Sequence, residues 1–185
     1  QLLTERGSNI GFRVLTPHQE NIQKKLADGT LDCLLSPEPV VDESIVSTRV
    51  AEDTLVTMVR RNHSSIKDAL SLEQFLAARH VIFDWQGDRG FLIDQRLRGL
   101  GLTRECPVRV HTLFDMPRIV ATTDLVCTVP ARVARQFTTL HGLKAFPVPL
   151  PDMAVELYFN CHQRFASDAG SVWLQNTTSG LASSR

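Results

Sequence analysis

The sequence predicts an α/β fold of two Rossmann-like lobes joined by two crossing strands. Strand-like and helix-like segments alternate in two successive runs, and extended segments near Arg79–Ile82 and Phe146–Leu150 separate them. A strand–helix–strand unit requires a right-handed crossover and a parallel strand pair, so each run predicts a parallel sheet. We therefore expect a discontinuous first lobe, residues 1–79 with 148–185, and a second lobe, residues 80–147.

The elements of the first run are predicted from caps and breakers. Pro17 opens a helix in which Ile22 and Leu26 fit a helical period, and Gly29 ends it. Ser71 is a natural N-cap for the short helix that follows. The strands expected in this run are Ile10–Leu15, Leu31–Ser36 and Ile45–Arg61.

A strand, a sharp turn and a helix follow one another in Thr122–Phe137. Leu125–Val129 suits a buried strand, Pro130 cannot continue it, and the residues from Ala131 carry apolar side chains at helical spacing. In α/β proteins the carboxyl ends of such strands border the binding crevice. The other strands expected here and beyond are His80–Asp84, Pro107–Thr112 and Ala154–Cys161, and the other helices are Phe91–Leu100, Leu113–Ala121 and Ser167–Gln175.

Composition excludes several classes of protein. Lys plus Arg equals Asp plus Glu at 20 each, which is unlike a basic nucleic-acid-binding footprint. The apolar runs are far shorter than the roughly 20 residues of a membrane span, and the first residues are polar rather than a signal sequence. The four cysteines are widely spaced, so we expect reduced thiols in a cytoplasmic protein.

Four segments carry a resemblance to a known family, and their order is its most specific feature. They are LADGTLDCLLS at Leu26–Ser36, EDTLVTMVRRNHSSI at Glu52–Ile66, TDLVCTVPARVA at Thr123–Ala134 and CHQRFASDAGSVWLQ at Cys161–Gln175. Nearly the whole chain resembles the effector-binding domain of a LysR-type transcriptional regulator. Its ending and its Thr-Thr-Asp segment are similar to the branch that responds to aromatic compounds and nodulation flavonoids.

The resemblance implies a fold like that of type 2 periplasmic binding proteins. It also implies a small-molecule inducer, here a small aromatic acid, and a homodimer or tetramer that contacts operator DNA through an N-terminal helix-turn-helix. Two departures are expected: this chain lacks that helix-turn-helix, and the first strand of the family's first lobe is missing. No cofactor is implied.

The residues after the strand His80–Asp84 are candidates for the effector site. Asp84 and Gln86 lie at its carboxyl end, and Gly87 and Gly90 ease the approach of a ligand to a helix start. The same residues also fit an ordinary strand-to-helix turn in which Asp84 caps the helix.

A second pair of candidates follows the next strand. His111 offers a hydrogen bond and Phe114 an aromatic wall to a ring that bears a carboxylate. A lone His is more often structural, but the aromatic-responsive branch resembled here has a His and a Phe at these positions.

Thr128, Val129 and Pro130 close the central strand where a helix start projects backbone N–H groups, which favour an anion. The alternative is a buried strand end. Arg132 offers a cation, although a solvated Arg is commoner. Thr16 faces the same crevice or simply caps a helix.

Catalysis and metal binding have little support in the sequence. No nucleophile elbow marks a Ser-His-Asp or Cys-His arrangement, and the His residues form no close ligand pairs. We therefore expect a non-enzymatic ligand sensor without a metal. The alternative is a free-standing solute-binding protein of the same two-lobed fold.

Overall fold

The computed structural model describes residues 11–15, 21–83 and 92–183. Its elements follow in the order α1 (Ile22–Asp28), β1 (Leu34–Ser36), β2 (Ile45–Arg60), α2 (Leu72–Ala77), β3 (Arg79–Phe83), α3 (Leu92–Gly99), β4 (Glu105–Val110), α4 (Asp115–Ala121), β5 (Val126–Pro130), α5 (Ala131–His141), β6 (Leu143–Pro147), β7 (Ala154–His162), a 3-10 turn (Gln163–Phe165) and α6 (Ala169–Ser183). Within these residues, no helix is both long and apolar enough to cross a membrane.

The strands lie in the order β1, β7, β2, β5, β3, β4, and β6 also pairs with β2. The pairs β3–β4 and β3–β5 are parallel, as the second alternating run predicts. β2 is antiparallel to β5, β6 and β7. The result is a mixed sheet system with helices on its faces.

β2 belongs to both halves of this system. Its last pair with β7 is Thr54 with Ala154, and its first pair with β5 is Leu55 with Pro130. At the same point the N–H of Leu55 donates to the carbonyl of Met153 at 3.0 Å. The lobe boundaries at residues 79 and 148 stay a prediction, and this pairing supports an earlier first boundary, inside β2.

The first alternating run differs from its expected form. Residues 11–15 form no strand, so the part of Ile10–Leu15 that the structure describes contradicts that prediction. These residues are exposed. The parallel sheet predicted for this run is also wrong, because β1 and β2 both pair antiparallel with β7. Alternating apolar residues alone do not make a strand, because the backbone also needs a ladder partner.

Each half of the sheet system is covered on both faces. In the second half, Met58 and Val129 pack against α4 and α5, and Leu55 packs against α2 and α3. In the first half, α1 packs on Leu34 and Ile45, while Leu174 of α6 contacts the cluster around Phe159 on the other face. α6 is longer than predicted.

Local chemistry sets two helix ends that the sequence predicts. Gly29 follows α1 with φ 78°, a conformation that suits glycine because it has no Cβ. At α2 a capping box forms: the hydroxyl of Ser71 accepts from the N–H of Gln74 at 3.1 Å, and the amide oxygen of Gln74 accepts from the N–H of Ser71 at 3.0 Å.

Candidate functional site

The joint between β5 and α5 holds three of the candidate residues. Thr128 and Val129 are buried, and Pro130 is half-buried at the last position of the strand. Because successive side chains of a strand face opposite sides, Val129 points into the core beside Phe137. Thr128 points to the other face, where its hydroxyl lies 3.3 Å from that of Thr57.

Thr128 also borders a narrow hollow beside this joint. The other side chains around it are largely apolar, with one cation among them: Val81, Ile82, Phe83, Ile93, Arg104, Leu113 and Met116. An apolar wall with a few polar groups is the usual composition of a small-molecule site.

The cation in that wall, Arg104, has a side chain that is 2% exposed and fully engaged. Its guanidinium makes a two-pronged ion pair with Asp94 of α3, with Nε–Oδ1 at 2.7 Å and Nη2–Oδ2 at 2.9 Å. Its Nη1 lies 3.3 Å from Nδ1 of His80. The buried charge is therefore neutralised within the chain.

His80 extends this network into the core. Burial, and next the charge of Arg104, lower the pKa of His80 to about 4, so the imidazole is neutral at pH 7. Its Nε2 lies 2.8 Å from the carbonyl of Phe75 and donates to it, which leaves Nδ1 to accept from Arg104. His80, Arg104 and Asp94 thus form one polar chain behind the hollow.

The start of α5 already has an acidic partner. Oδ2 of Asp53, in β2, accepts from the N–H of Arg132 at 3.0 Å, and Oδ1 accepts from the N–H of Thr54 at 2.8 Å. The guanidinium of Arg132 donates to the carbonyl of Glu52 at 3.4 Å. The helix start that the sequence offers to a ligand anion therefore binds a carboxylate of the chain itself.

His111 and Phe114 do not line the hollow at Thr128. His111 is exposed just after β4, and Phe114 is 60% exposed, with its ring 5.9 Å from that of Phe137 on α5. Among the described residues of this loop, it is Leu113 that borders the hollow. Binding by His111 and Phe114 stays a prediction. Thr16, Asp84 and Gln86 lie outside the described residues.

The Thr-Thr-Asp segment that marked the family branch has a structural role. Oδ1 of Asp124 accepts from Nε of Arg60 at 2.7 Å and from the N–H of Ser64 at 3.3 Å. The hydrogen bond from Arg60 is the main reason that the pKa of Asp124 falls to about 2. His63 adds a contact of 3.0 Å from Nε2 to the carbonyl of Asp124. Arg60 and His63 of the strand-ending motif thus tie the end of β2 to the start of β5.

Sequence reasoning missed Arg104, Asp94 and Asp53. Asp94 and Arg104 lie ten residues apart on α3 and on the loop before β4, and Asp53 is far from Arg132 along the chain. No short motif contains either pair, so only the fold brings them together.

Comparison with known proteins decides the family. The family model of the LysR substrate binding domain matches residues 1–177 of this chain. The chain belongs to this family. Its two-lobed fold, like that of type 2 periplasmic binding proteins, is confirmed by solved structures of LysR regulatory domains.

Relatives of this LysR domain include a transcriptional activator and a nodulation protein. The activator NagR of a Ralstonia species is 29% identical over 177 residues, which cover 95% of this chain and 58% of NagR. Nodulation protein D 1 of Rhizobium leguminosarum bv. phaseoli is 25% identical over 168 residues, covering 90% of this chain and 53% of that protein. The chain thus spans little more than half the length of these curated relatives.

A solved structure gives the same answer for the fold. The probable transcriptional regulator PA0477 of Pseudomonas aeruginosa superposes with a TM-score of 0.82 at 25% identity, covering 91% of this chain and 56% of that one. These matches confirm the predicted resemblance and favour a ligand-sensing regulatory domain over a free-standing solute-binding protein.

Proposed function

We propose that this chain is the sensing domain of a transcriptional regulator that binds a small aromatic acid between its two lobes. The hollow at Thr128 carries this proposal. Its lining side chains come from the second half of the sheet system and are mostly apolar, as a ring requires, and the hydroxyl of Thr128 offers a hydrogen bond to a polar substituent. The hollow itself holds about 10 Å³, so a ring fits only when the side chains around it move apart. The hollow also lies close to the point where β2 crosses from one half of the sheet system to the other, because Thr128 pairs with Thr57, two residues beyond Leu55.

The mechanism follows from where the two halves meet. A ligand that contacts both halves where β2 crosses between them stabilises one arrangement of the lobes more than the other. The free energy with which a ligand shifts the lobe angle equals the difference between its binding free energies for the two arrangements. The contact of Asp53 with the start of α5 is part of that balance, since a ligand carboxylate competes for the same N–H group.

In the whole protein this change would be passed on to DNA-binding segments. We infer a cytoplasmic homodimer or tetramer that contacts its operator through a helix-turn-helix, with no enzymatic activity. The transcriptional activator NagR, which matches most of this chain, supports this assignment.

A thermal-shift screen of the chain tests the ligand class. Aromatic carboxylates should raise the unfolding temperature, by about 5 °C or more at concentrations a hundredfold above Kd. The primary amides of the same acids are the matched controls, because they keep the ring and lose the charge. They should stabilise the chain less.

Two outcomes contradict the proposal at different levels. Equal stabilisation by acids and amides would remove the carboxylate from the recognition. Stabilisation by sugars or amino acids alone would remove the aromatic acid and leave a sensor of another ligand class.

A further inference from the structure

The pairing of β1 with β7 brings two cysteines into line in the first half of the sheet system: Cys33, the residue just before β1, and Cys161, on β7. β1 and β7 pair in the register Leu34 with Asn160, Leu35 with Phe159 and Ser36 with Tyr158. Extending this antiparallel register by one residue places Cys33 opposite Cys161. Directly opposed Cα atoms of antiparallel strands lie about 4.5 or 5.5 Å apart, and both spacings fall within the range of a disulfide.

The side chains of the two cysteines share one face. Asn160 points to the opposite face, where its amide donates to the carbonyl of Leu34 at 3.1 Å and to Oγ of Ser36 at 2.9 Å. Cys161 belongs to the buried cluster with Phe159, and Cys33 packs against the same cluster. Both thiols are free in the structure, and Cys161 is near enough to contribute to the raised pKa of Cys33.

We propose that Cys33 and Cys161 form a reversible cross-strand disulfide when the protein meets a small disulfide oxidant such as oxidised glutathione. The two cysteines differ in access. Cys33 is half-buried, whereas Cys161 is 2% exposed. Cys33 is therefore the sulfur that meets the oxidant.

The exchange proceeds in two balanced steps. The thiolate of Cys33 attacks one sulfur of oxidised glutathione, which forms a mixed disulfide and releases one glutathione thiolate. Cys161 then loses its proton to solvent, and its sulfur attacks the Cys33 sulfur. That step forms the protein disulfide and releases the second glutathione. Two protein thiols are oxidised, and one glutathione disulfide is reduced to two thiols.

The surroundings of Cys33 determine how fast this oxidation proceeds, and the place of the disulfide determines what it changes. Burial, with the nearby Asp32 and Cys161, raises the pKa of Cys33 to about 11, so its thiolate is scarce at neutral pH and oxidation takes a long exposure. The product would fix the edge strand β1 to β7. That bond lies in the first half of the sheet system, away from the hollow at Thr128, so it adds a response to oxidants that is separate from effector binding.

Peptide mapping of the folded chain tests this disulfide. The chain is incubated with oxidised glutathione in native buffer, the remaining thiols are alkylated after denaturation, and the digest is analysed by mass spectrometry. A peptide that joins Cys33 to Cys161 is expected, lighter by two hydrogen atoms than its separate parts. It should disappear after treatment with dithiothreitol and in C33S and C161S. The matched control C106S should keep it, because Cys106 is half-buried on β4 and lies outside the pair.

Two results would overturn the proposal. One is wild-type chain in which Cys33 carries glutathione and Cys161 is recovered alkylated, with no linked peptide. The other is a mixture in which Cys33 joins Cys106 or Cys127 as often as Cys161, because such scrambling would show that the strand register does not direct the bond.

Discussion

The carboxylate of Asp53 accepts a hydrogen bond from the backbone N–H of Arg132 at 3.0 Å. Asp53 lies just before β2 leaves β7 for β5, and Arg132 lies in the first turn of α5. The contact therefore joins the part of β2 that crosses between the two halves to the start of α5. It places a negative charge at the N-terminus of α5, where it stabilises the helix.

The variant Asp53→Asn should lower the stability of the folded chain and raise its affinity for an anionic effector. The loss of the negative charge at the start of α5 should lower the free energy of unfolding by about 0.5 to 1 kcal/mol, measured by urea denaturation. The same loss should lower the Kd of an aromatic carboxylate several-fold, measured by calorimetry, because the charge repulsion at the helix start is removed and the amide oxygen of Asn competes less strongly for the N–H of Arg132.

Glu52→Gln is the matched control for Asp53→Asn. It removes a charge from the adjacent residue, whose carboxylate pairs with Arg49 at 3.2 Å instead of reaching α5. An equal gain in affinity in both variants would show that the net charge of the chain, and not the cap on α5, controls binding.

Thr128→Val should weaken effector binding by about 1 kcal/mol, or roughly fivefold in Kd, because it keeps the shape of the side chain and removes one hydrogen-bonding hydroxyl. Thr128→Ser, which keeps the hydroxyl, should bind within about twofold of the wild type. If Thr128→Val binds as the wild type does, the hydroxyl has no part in recognition.

His111→Ala tests the other predicted contact in the same titration, and unchanged affinity would assign His111 a structural role.

Asp94→Asn should destabilise the chain by about 2 to 3 kcal/mol in urea denaturation, because it leaves the guanidinium of Arg104 buried without its counter-charge. The double variant Asp94→Leu with Arg104→Met should recover much of this loss, since the pair is replaced by apolar side chains. A single-variant loss no larger than that of Asp68→Asn, whose exposed carboxylate lies 3.5 Å from Nζ of Lys144, would show that the network contributes little.

His80 should make the chain less stable as the pH falls from about 6.5 towards 4. Its pKa in the folded chain is about 4, below the ordinary value of 6.5, so in this window the unfolded chain binds more protons than the folded one. The stabilisation is complete above pH 6.5 and is lost as the pH falls through 4. The slope is about 1.4 kcal/mol per pH unit at most.

Urea denaturation of wild type and His80→Gln between pH 4 and 7 measures this contribution. The difference between the two free energies of unfolding should shrink towards pH 4. Parallel curves for the two proteins would contradict the assignment to His80.

Much of the local structure could be predicted because its causes are close in sequence. Ser71 and Gln74 are three residues apart and form their capping box within one helical turn. Pro130 lacks an N–H and ends β5 where the sequence places the turn. Gly29 ends α1 because the next conformation requires a positive φ.

The site could be predicted only in part, because its main contacts join distant residues. The position of Thr128 at a strand end follows from the sequence, and its role in binding stays a prediction. The partner of Arg132 comes from β2 and that of Arg104 comes from α3. Around residues 11–15 the alternating pattern misled, because these residues are exposed and form no strand. The ring of Phe12 lies 6.1 Å from that of Trp173 on α6.

The sharing of β2 between two sets of partners has a consequence for the order in which the nascent chain folds. The partners of residues 55–60 are β5 and β6, which are complete once residue 147 has been synthesised. Residues 45–54 must wait for β7, which ends at residue 162. Since domains fold as their segments emerge, the second half of the sheet can assemble on the ribosome first. The first half of β2 then waits as an unpaired edge until the C-terminal strand arrives.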